Sequence, residues 1–85
     1  MAYRISIDPA ALREMKKFTP KVRQLVADAI SALADDPRPE GARKLSGSRS
    51  SYRIRVGEHR VLYRITDKEL LILVVKVGHR RDVYR

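Results

Sequence analysis

Eighty-five residues without a cysteine, with nineteen Lys and Arg against ten Asp and Glu for a net charge of +9, describe one small domain, residues 1–85, that must fold on an apolar core alone. This excludes a disulfide framework and a Cys-based zinc site; two histidines make a poor metal site, and the longest apolar run, Leu70 to Val75, is far too short to span a bilayer. The charge excess calls for a polyanionic partner: nucleic acid, an anionic surface or an acidic protein.

The first residues, MAYRISIDP, hold no apolar targeting segment, so a cytoplasmic protein with no membrane partner is expected, and neither a metal nor a cofactor. Tyr3, Ile5 and Ile7 alternate with Arg4, Ser6 and Asp8, the period of a half-buried strand. Asp8 and Pro9 then form a helix start, a capping carboxylate followed by a proline at the first helical position, with Leu12, Met15 and Phe18 along one face. Thr19 and Pro20 repeat that signal. Behind them Val22, Leu25, Val26, Ala29, Ile30 and Leu33 follow the i, i+3, i+4, i+7 order of an amphipathic helix.

Asp35 to Ser50 has two prolines, two glycines and no periodicity, and reads as a long, mobile connection. Beyond it the period becomes two, with strands expected at about 51–56, 59–66 and 69–77. The expected fold is α+β: an N-terminal strand, a helical hairpin, then three antiparallel strands, with both helices on one face of the sheet.

Gly57-Glu58 fits a two-residue type II′ turn. It sets Val56 opposite His59, Arg55 opposite Arg60, Ile54 opposite Val61, Arg53 opposite Leu62 and Tyr52 opposite Tyr63. Tyr52, Ile54, Val61, Tyr63 and Ile65 then face the helices, and Arg53, Arg55, Arg60 and Arg64 share the other face. Directly opposed like charges cost up to about 1 kcal/mol per pair, a sign that a bound polyanion reverses. Two readings account for them: a solvated face that guards against edge aggregation, or an anion site suited to the planar fork of arginine.

Leu71, Leu73 and Val75 are expected beside Leu62 on the arginine face. That stripe reads either as a docking surface for an amphipathic, acidic partner helix or as a strand covered by the protein's own tail or loop. At the C-terminal end His79 can exchange protons near neutral pH, and Tyr84 can do so where positive charge lowers its pKa; each also has a plainer reading, as a turn residue and a terminal packing residue.

SYRIRVGEHRVLYRI followed by LLILVVKVGHRRDVYR resembles the RelE branch of the RelE/ParE toxin superfamily, in element order and over nearly the whole chain. The resemblance implies a toxin of a type II toxin–antitoxin pair that enters the ribosomal A site and cleaves mRNA, held in check by a RelB-like antitoxin. Its partners would be the ribosome with its rRNA, the message, and operator DNA only through the antitoxin complex.

The family's basic residues fall on Arg53, Arg55 and Arg60, its arginine after the last strand on Arg80, and its C-terminal tyrosine on Tyr84. Arg60 and Arg80 are assigned to the transition state, and Arg53, Arg55 and Arg64 to the RNA backbone. Tyr84 is the first candidate base and His79 the next; an arginine cannot accept a proton. Leu62, Leu71, Leu73 and Val75 are assigned to the antitoxin. The competing reading is a ParE-like inhibitor of DNA gyrase that cuts nothing.

Overall fold

A computed structural model describes residues 2–79. The elements run β1 (Arg4–Ile7), α1 (Pro9–Lys16), α2 (Pro20–Ala32), β2 (Arg43–Lys44), β3 (Ser51–Val56), β4 (His59–Thr66) and β5 (Leu71–His79), with a 3₁₀ turn over Asp67–Glu69. One mixed five-stranded sheet has the order β1-β5-β4-β3-β2. Its strand pairs are antiparallel except β1 and β5, which run parallel.

Both helix starts form as the sequence indicates. Asp8 Oδ1 accepts from Ala10 N at 2.9 Å, and Thr19 Oγ1 accepts from Val22 N at 3.3 Å, which satisfies amide groups that have no partner inside a helix. The end of α1 is closed from outside. Arg23 of α2 donates to the carbonyls of Met15, Lys16 and Phe18 at 3.3, 3.3 and 3.0 Å, placing a cation where the helix dipole is negative and locking the hairpin angle.

The helices cover one face. Ala11 and Met15 of α1, with Val26 and Ile30 of α2 and Leu33 just after it, meet Ile54, Val61, Tyr63, Ile65, Ile72, Val74 and Val77 of the sheet. Full burial of a large aliphatic or aromatic side chain contributes about 1.5–3 kcal/mol, so this cluster is the main source of stability in a chain with no covalent staples. Leu12 is not part of it; at 42 % exposed it faces water while Ala11 occupies the inward position, and Leu25 is likewise exposed.

The long connection is partly built rather than structureless. Arg43–Lys44 pairs with β3, Arg43 opposite Arg53 and Lys44 opposite Tyr52. The return segment is fastened by Leu45 N donating to Ser51 O at 2.8 Å and by Ser48 Oγ accepting from Ser51 N at 3.1 Å.

The β3–β4 register is the one the turn dictates, from Val56 opposite His59 through Tyr52 opposite Tyr63 to Ser51 opposite Arg64. Gly57 has φ +60°, while Glu58 keeps a negative φ, as a type II′ turn needs. The β4–β5 ladder is less regular: Tyr63 pairs with Val74 and Leu62 with Lys76, so Val75 is an extra residue, a β-bulge.

Candidate functional site

The face of the sheet away from the helices carries Arg43 from β2, Arg53 and Arg55 from β3, and Arg60, Leu62 and Arg64 from β4, followed by Leu71, Leu73, Lys76 and Gly78 from β5. Parity puts them there: each is a cross-strand partner or an i±2 neighbour of another, and the alternate set is buried against the helices. Arg53, Arg55, Arg60 and Arg64 are thus brought together as expected. Arg55 and Arg64 are exposed, and Arg53 and Arg60 are half-buried.

The electrostatics of this face are one-sided. Among the described residues the ion pairs are Lys17 with Glu14 and Arg38 with Asp67, neither of which involves a face arginine. Arg60 is the most constrained of the row: its Nε and Nη1 are shut off from solvent with no hydrogen-bond partner. Two buried donors left unpaired cost about 1–3 kcal/mol each, so an acceptor that reached them would gain strongly. Because the guanidinium keeps its positive charge, an anionic acceptor would gain more there than a neutral one.

The bulge changes the outcome for β5. In uninterrupted alternation Val75, Val77 and His79 would all lie with Leu71 and Leu73. Instead Lys76 stands opposite Leu62 and Gly78 opposite Arg60, while Val77 turns into the core opposite Val61. Val75, the extra residue, has no cross-strand partner of its own between Val74 and Lys76, and it borders a cleft of about 370 Å³ between α1 and the end of β5 that Lys76 and Gly78 also line.

His79 is displaced by the same switch. It lies opposite His59, and their rings meet edge to face at 5.7 Å while Phe18 packs on His59 at 4.6 Å. His79 is thus on the helix side, across the sheet from the guanidinium row. Leu62, expected to meet an antitoxin, is only 9 % exposed and lies between Arg53 and Lys76. Arg80 and Tyr84, assigned to catalysis from the sequence, lie outside the described residues.

At the far end of the same hairpin a polar clamp fixes the sheet. Arg38 donates through Nη2 to Asp67 Oδ2 at 2.9 Å and through Nε to the Tyr52 hydroxyl at 3.1 Å, and the Tyr3 hydroxyl donates to Asp67 Oδ1 at 2.6 Å. The Arg38 guanidinium, then Tyr3, holds the Asp67 carboxyl below its usual range. Beside it the Tyr63 hydroxyl donates to Pro37 O at 2.7 Å, and burial pushes its pKa up to about 12. The clamp ties β1, the segment after α2 and the β4–β5 turn to the two stacked tyrosines, Tyr52 and Tyr63, 6.1 Å apart.

Arg43 escaped sequence reasoning because a two-residue strand has no period to detect. The available signal was the Ser- and Gly-rich stretch between Arg43-Lys44 and Tyr52-Arg53, a hairpin loop read instead as open chain. Among the described residues no group of three or more His, Asp and Glu is placed to hold a metal ion, and no helix is long and apolar enough to cross a membrane.

The model for the ParE toxin of type II toxin–antitoxin systems matches residues 5–84. Toxin RelG of Mycobacterium tuberculosis is 33 % identical, with 100 % of this chain and 99 % of that protein covered. The mRNA interferase toxin RelE of Escherichia coli (strain K12) is 32 % identical, with 99 % of this chain and 92 % of that protein covered. A chain of the intact E. coli RelBE toxin–antitoxin complex superposes with a TM-score of 0.80 at 29 % identity, covering 92 % of this chain and 96 % of that one. Helices on one face, unpaired arginines on the other and matches along nearly the full length lead to one conclusion: the chain belongs to the ParE toxin family of type II toxin–antitoxin systems and is a RelE-type toxin.

Proposed function

We propose that this toxin is a ribosome-dependent endoribonuclease that cuts mRNA in the A site without a metal. The observation that carries the proposal is Arg60, a guanidinium with two solvent-excluded donors and no partner, set between Arg55 and Gly78 on a face with no ion-paired arginine among the described residues. The interferase name of a relative at 32 % identity points the same way.

In the reaction the 2′-hydroxyl attacks the adjacent phosphorus, its proton leaves, the bond to the 5′-oxygen breaks, and that oxygen is protonated. The products are a 2′,3′-cyclic phosphate and a 5′-hydroxyl. The pentacovalent state carries more negative charge than the diester, so a preorganised cation at the non-bridging oxygens lowers the barrier selectively. Arg60 takes that role together with Arg80, and Arg53, Arg55 and Arg64 hold the flanking backbone. Tyr84 takes the proton of the 2′-hydroxyl, since no arginine accepts one and His79 faces the helices.

A RelB-like antitoxin neutralises the toxin, as the RelBE complex of its structural relative suggests. Leu71 and Leu73, half-buried and flanked by Arg64 on one side and Arg4 on the other, offer an apolar strip edged with cations for an amphipathic acidic segment.

Mapping RNA ends after brief induction tests the activity. Cuts within translated codons, lost in Arg60→Ala, are expected; growth arrest with intact messages defeats it. The ParE name of the family model favours one other reading, gyrase inhibition without RNA cleavage. It requires inhibited supercoiling and DNA damage while messages stay whole.

A further inference from the structure

We infer that the cleft between β2 and β3 is a second RNA subsite, which holds a phosphodiester beside the scissile one. The inference rests on the nuclease reading and extends it to residues outside the arginine hairpin. The cleft is shallow and open, with a volume of about 560 Å³, and is lined by Arg43, Lys44, Leu45, Ser46, Arg53 and Leu62. Arg43 and Arg53 bring guanidinium groups to it and Ser46 a hydroxyl; Lys44, opposite Tyr52, borders it at the strand edge, and none of the lining residues is a carboxylate.

Arg43 stands directly opposite Arg53, a like-charge pairing that destabilises a bare strand edge and favours an anion between the two guanidinium groups. Neither they nor Lys44 has an ion-pair partner among the described residues. The walls are fixed rather than loose: the β2–β3 ladder holds one side, and the Ser48 hydroxyl, accepting from Ser50 N and Ser51 N at 3.3 and 3.1 Å, folds the loop that closes the end.

Position relative to the proposed reaction centre gives the subsite its ligand. Arg53 belongs to both, and Arg55 follows it on the same face two residues along β3, about 7 Å away at the rise of an antiparallel strand. A strand whose reacting phosphate lies at Arg55 and Arg60 thus runs past Arg53 into the cleft. Leu62 gives it an apolar floor between the cations. Guanidinium forks beside a hydroxyl, with no feature that reads a base edge, make this a backbone-binding site without sequence preference. The phosphodiester comes either from the message or from the ribosomal RNA around it.

The test is single-turnover cleavage of a defined message on programmed ribosomes by the purified toxin and its Arg43→Ala/Lys44→Ala variant, across a salt series. Both residues are exposed, so the variant keeps its thermal midpoint. The expected result is a KM raised about tenfold with the maximal rate retained, and a log–log salt slope reduced by about 0.7 for each phosphate charge no longer neutralised. Arg43→Lys restores most of the affinity, and Arg43→Met does not. A neutral methylphosphonate at the flanking linkage of the message reproduces the KM increase in the wild type if the message supplies the phosphate, and has no effect if ribosomal RNA does; either supports the subsite. Unmoved KM and slope overturn it, as does a change confined to neutralisation by the cognate antitoxin. A wild-type protein that cuts nothing on the ribosome fails the nuclease reading instead, and is thereby distinguished.

Discussion

Arg55 and Arg60 face each other across the β3–β4 ladder, one pair inward from the Gly57 turn, and the Arg60 guanidinium has two donors that reach neither water nor an acceptor. Folding alone would not select this arrangement. Opposed like charges cost up to about 1 kcal/mol and each unpaired buried donor about 1–3 kcal/mol, a cost that an anion seated there would offset.

Replacing Arg60 should therefore separate stability from activity. Arg60→Met keeps the aliphatic stem and removes the unpaired donors. Its unfolding free energy in urea is expected to stay level or rise, by about 1 kcal/mol, while the cleavage rate falls about 10²–10³-fold, the usual loss when one preorganised donor to a developing oxyanion is removed. A marked fall in stability would show that Arg60 has a structural partner.

The clamp at the other end of the hairpin sets the acid limit. Arg38 and Tyr3 donate to Asp67 and depress its pKa in the folded protein. A depressed folded pKa gives stability that is present above the unfolded carboxylate value of about 4 and lost as pH falls through the lower folded value. Urea midpoints for wild type and Asp67→Asn should differ at pH 6 and converge as pH drops below about 4. A gap that stays constant down to pH 2 would contradict the assignment.

The alkaline limit runs in the opposite sense. Burial raises the Tyr63 hydroxyl to about 12, and a raised folded pKa gives stability that is full below the unfolded value of about 10 and fades as pH rises towards 12. Tyr63→Phe should lose about 1 kcal/mol at neutral pH, for the missing hydrogen bond to the Pro37 carbonyl. It should also lose less than wild type between pH 10 and 12, with a remainder from Tyr3, whose pKa is raised as well.

How much of this was legible in the sequence follows from the length over which a pattern repeats. The helix starts were legible because Asp8-Pro9 and Thr19-Pro20 act locally, through one side-chain acceptor and one fixed φ. The hairpin register was legible because a two-residue turn and several consecutive apolar partners agree on it. Nothing local says that β1 lies parallel to β5, which depends on where the helical hairpin returns the chain, or that Arg43–Lys44 is a strand. Leu12 looked like a core residue because its spacing to Met15 fits a helix face, yet the neighbouring Ala11 packs closer to the sheet. Arg53, Arg55, Arg60 and Arg64 were placed correctly by parity, whereas the side taken by Lys76 and His79 was not legible, because the single inserted residue Val75 reverses parity for the rest of the strand.

That inserted residue supplies the last prediction. Val74-Val75-Lys76-Val77 allows a regular ladder in which Lys76 would point into the core opposite Val61; the bulge avoids burying that charge by giving Val75 no partner and setting Lys76 opposite Leu62. Deleting Val75 leaves Val74 opposite Tyr63 and Lys76 opposite Leu62 in an uninterrupted ladder. The fold should survive, with a loss of about 1 kcal/mol for a half-buried valine side chain. A bulge also bends its strand, and this one lies where β5 approaches Arg60 through Gly78, so a straightened strand should mis-aim its end and lower cleavage at least tenfold while the urea midpoint barely moves. If the deletion variant cleaves at the wild-type rate, the bulge serves only to keep Lys76 out of the core. If it fails to fold, Val75 has a packing role against α1 that outweighs its place in the ladder.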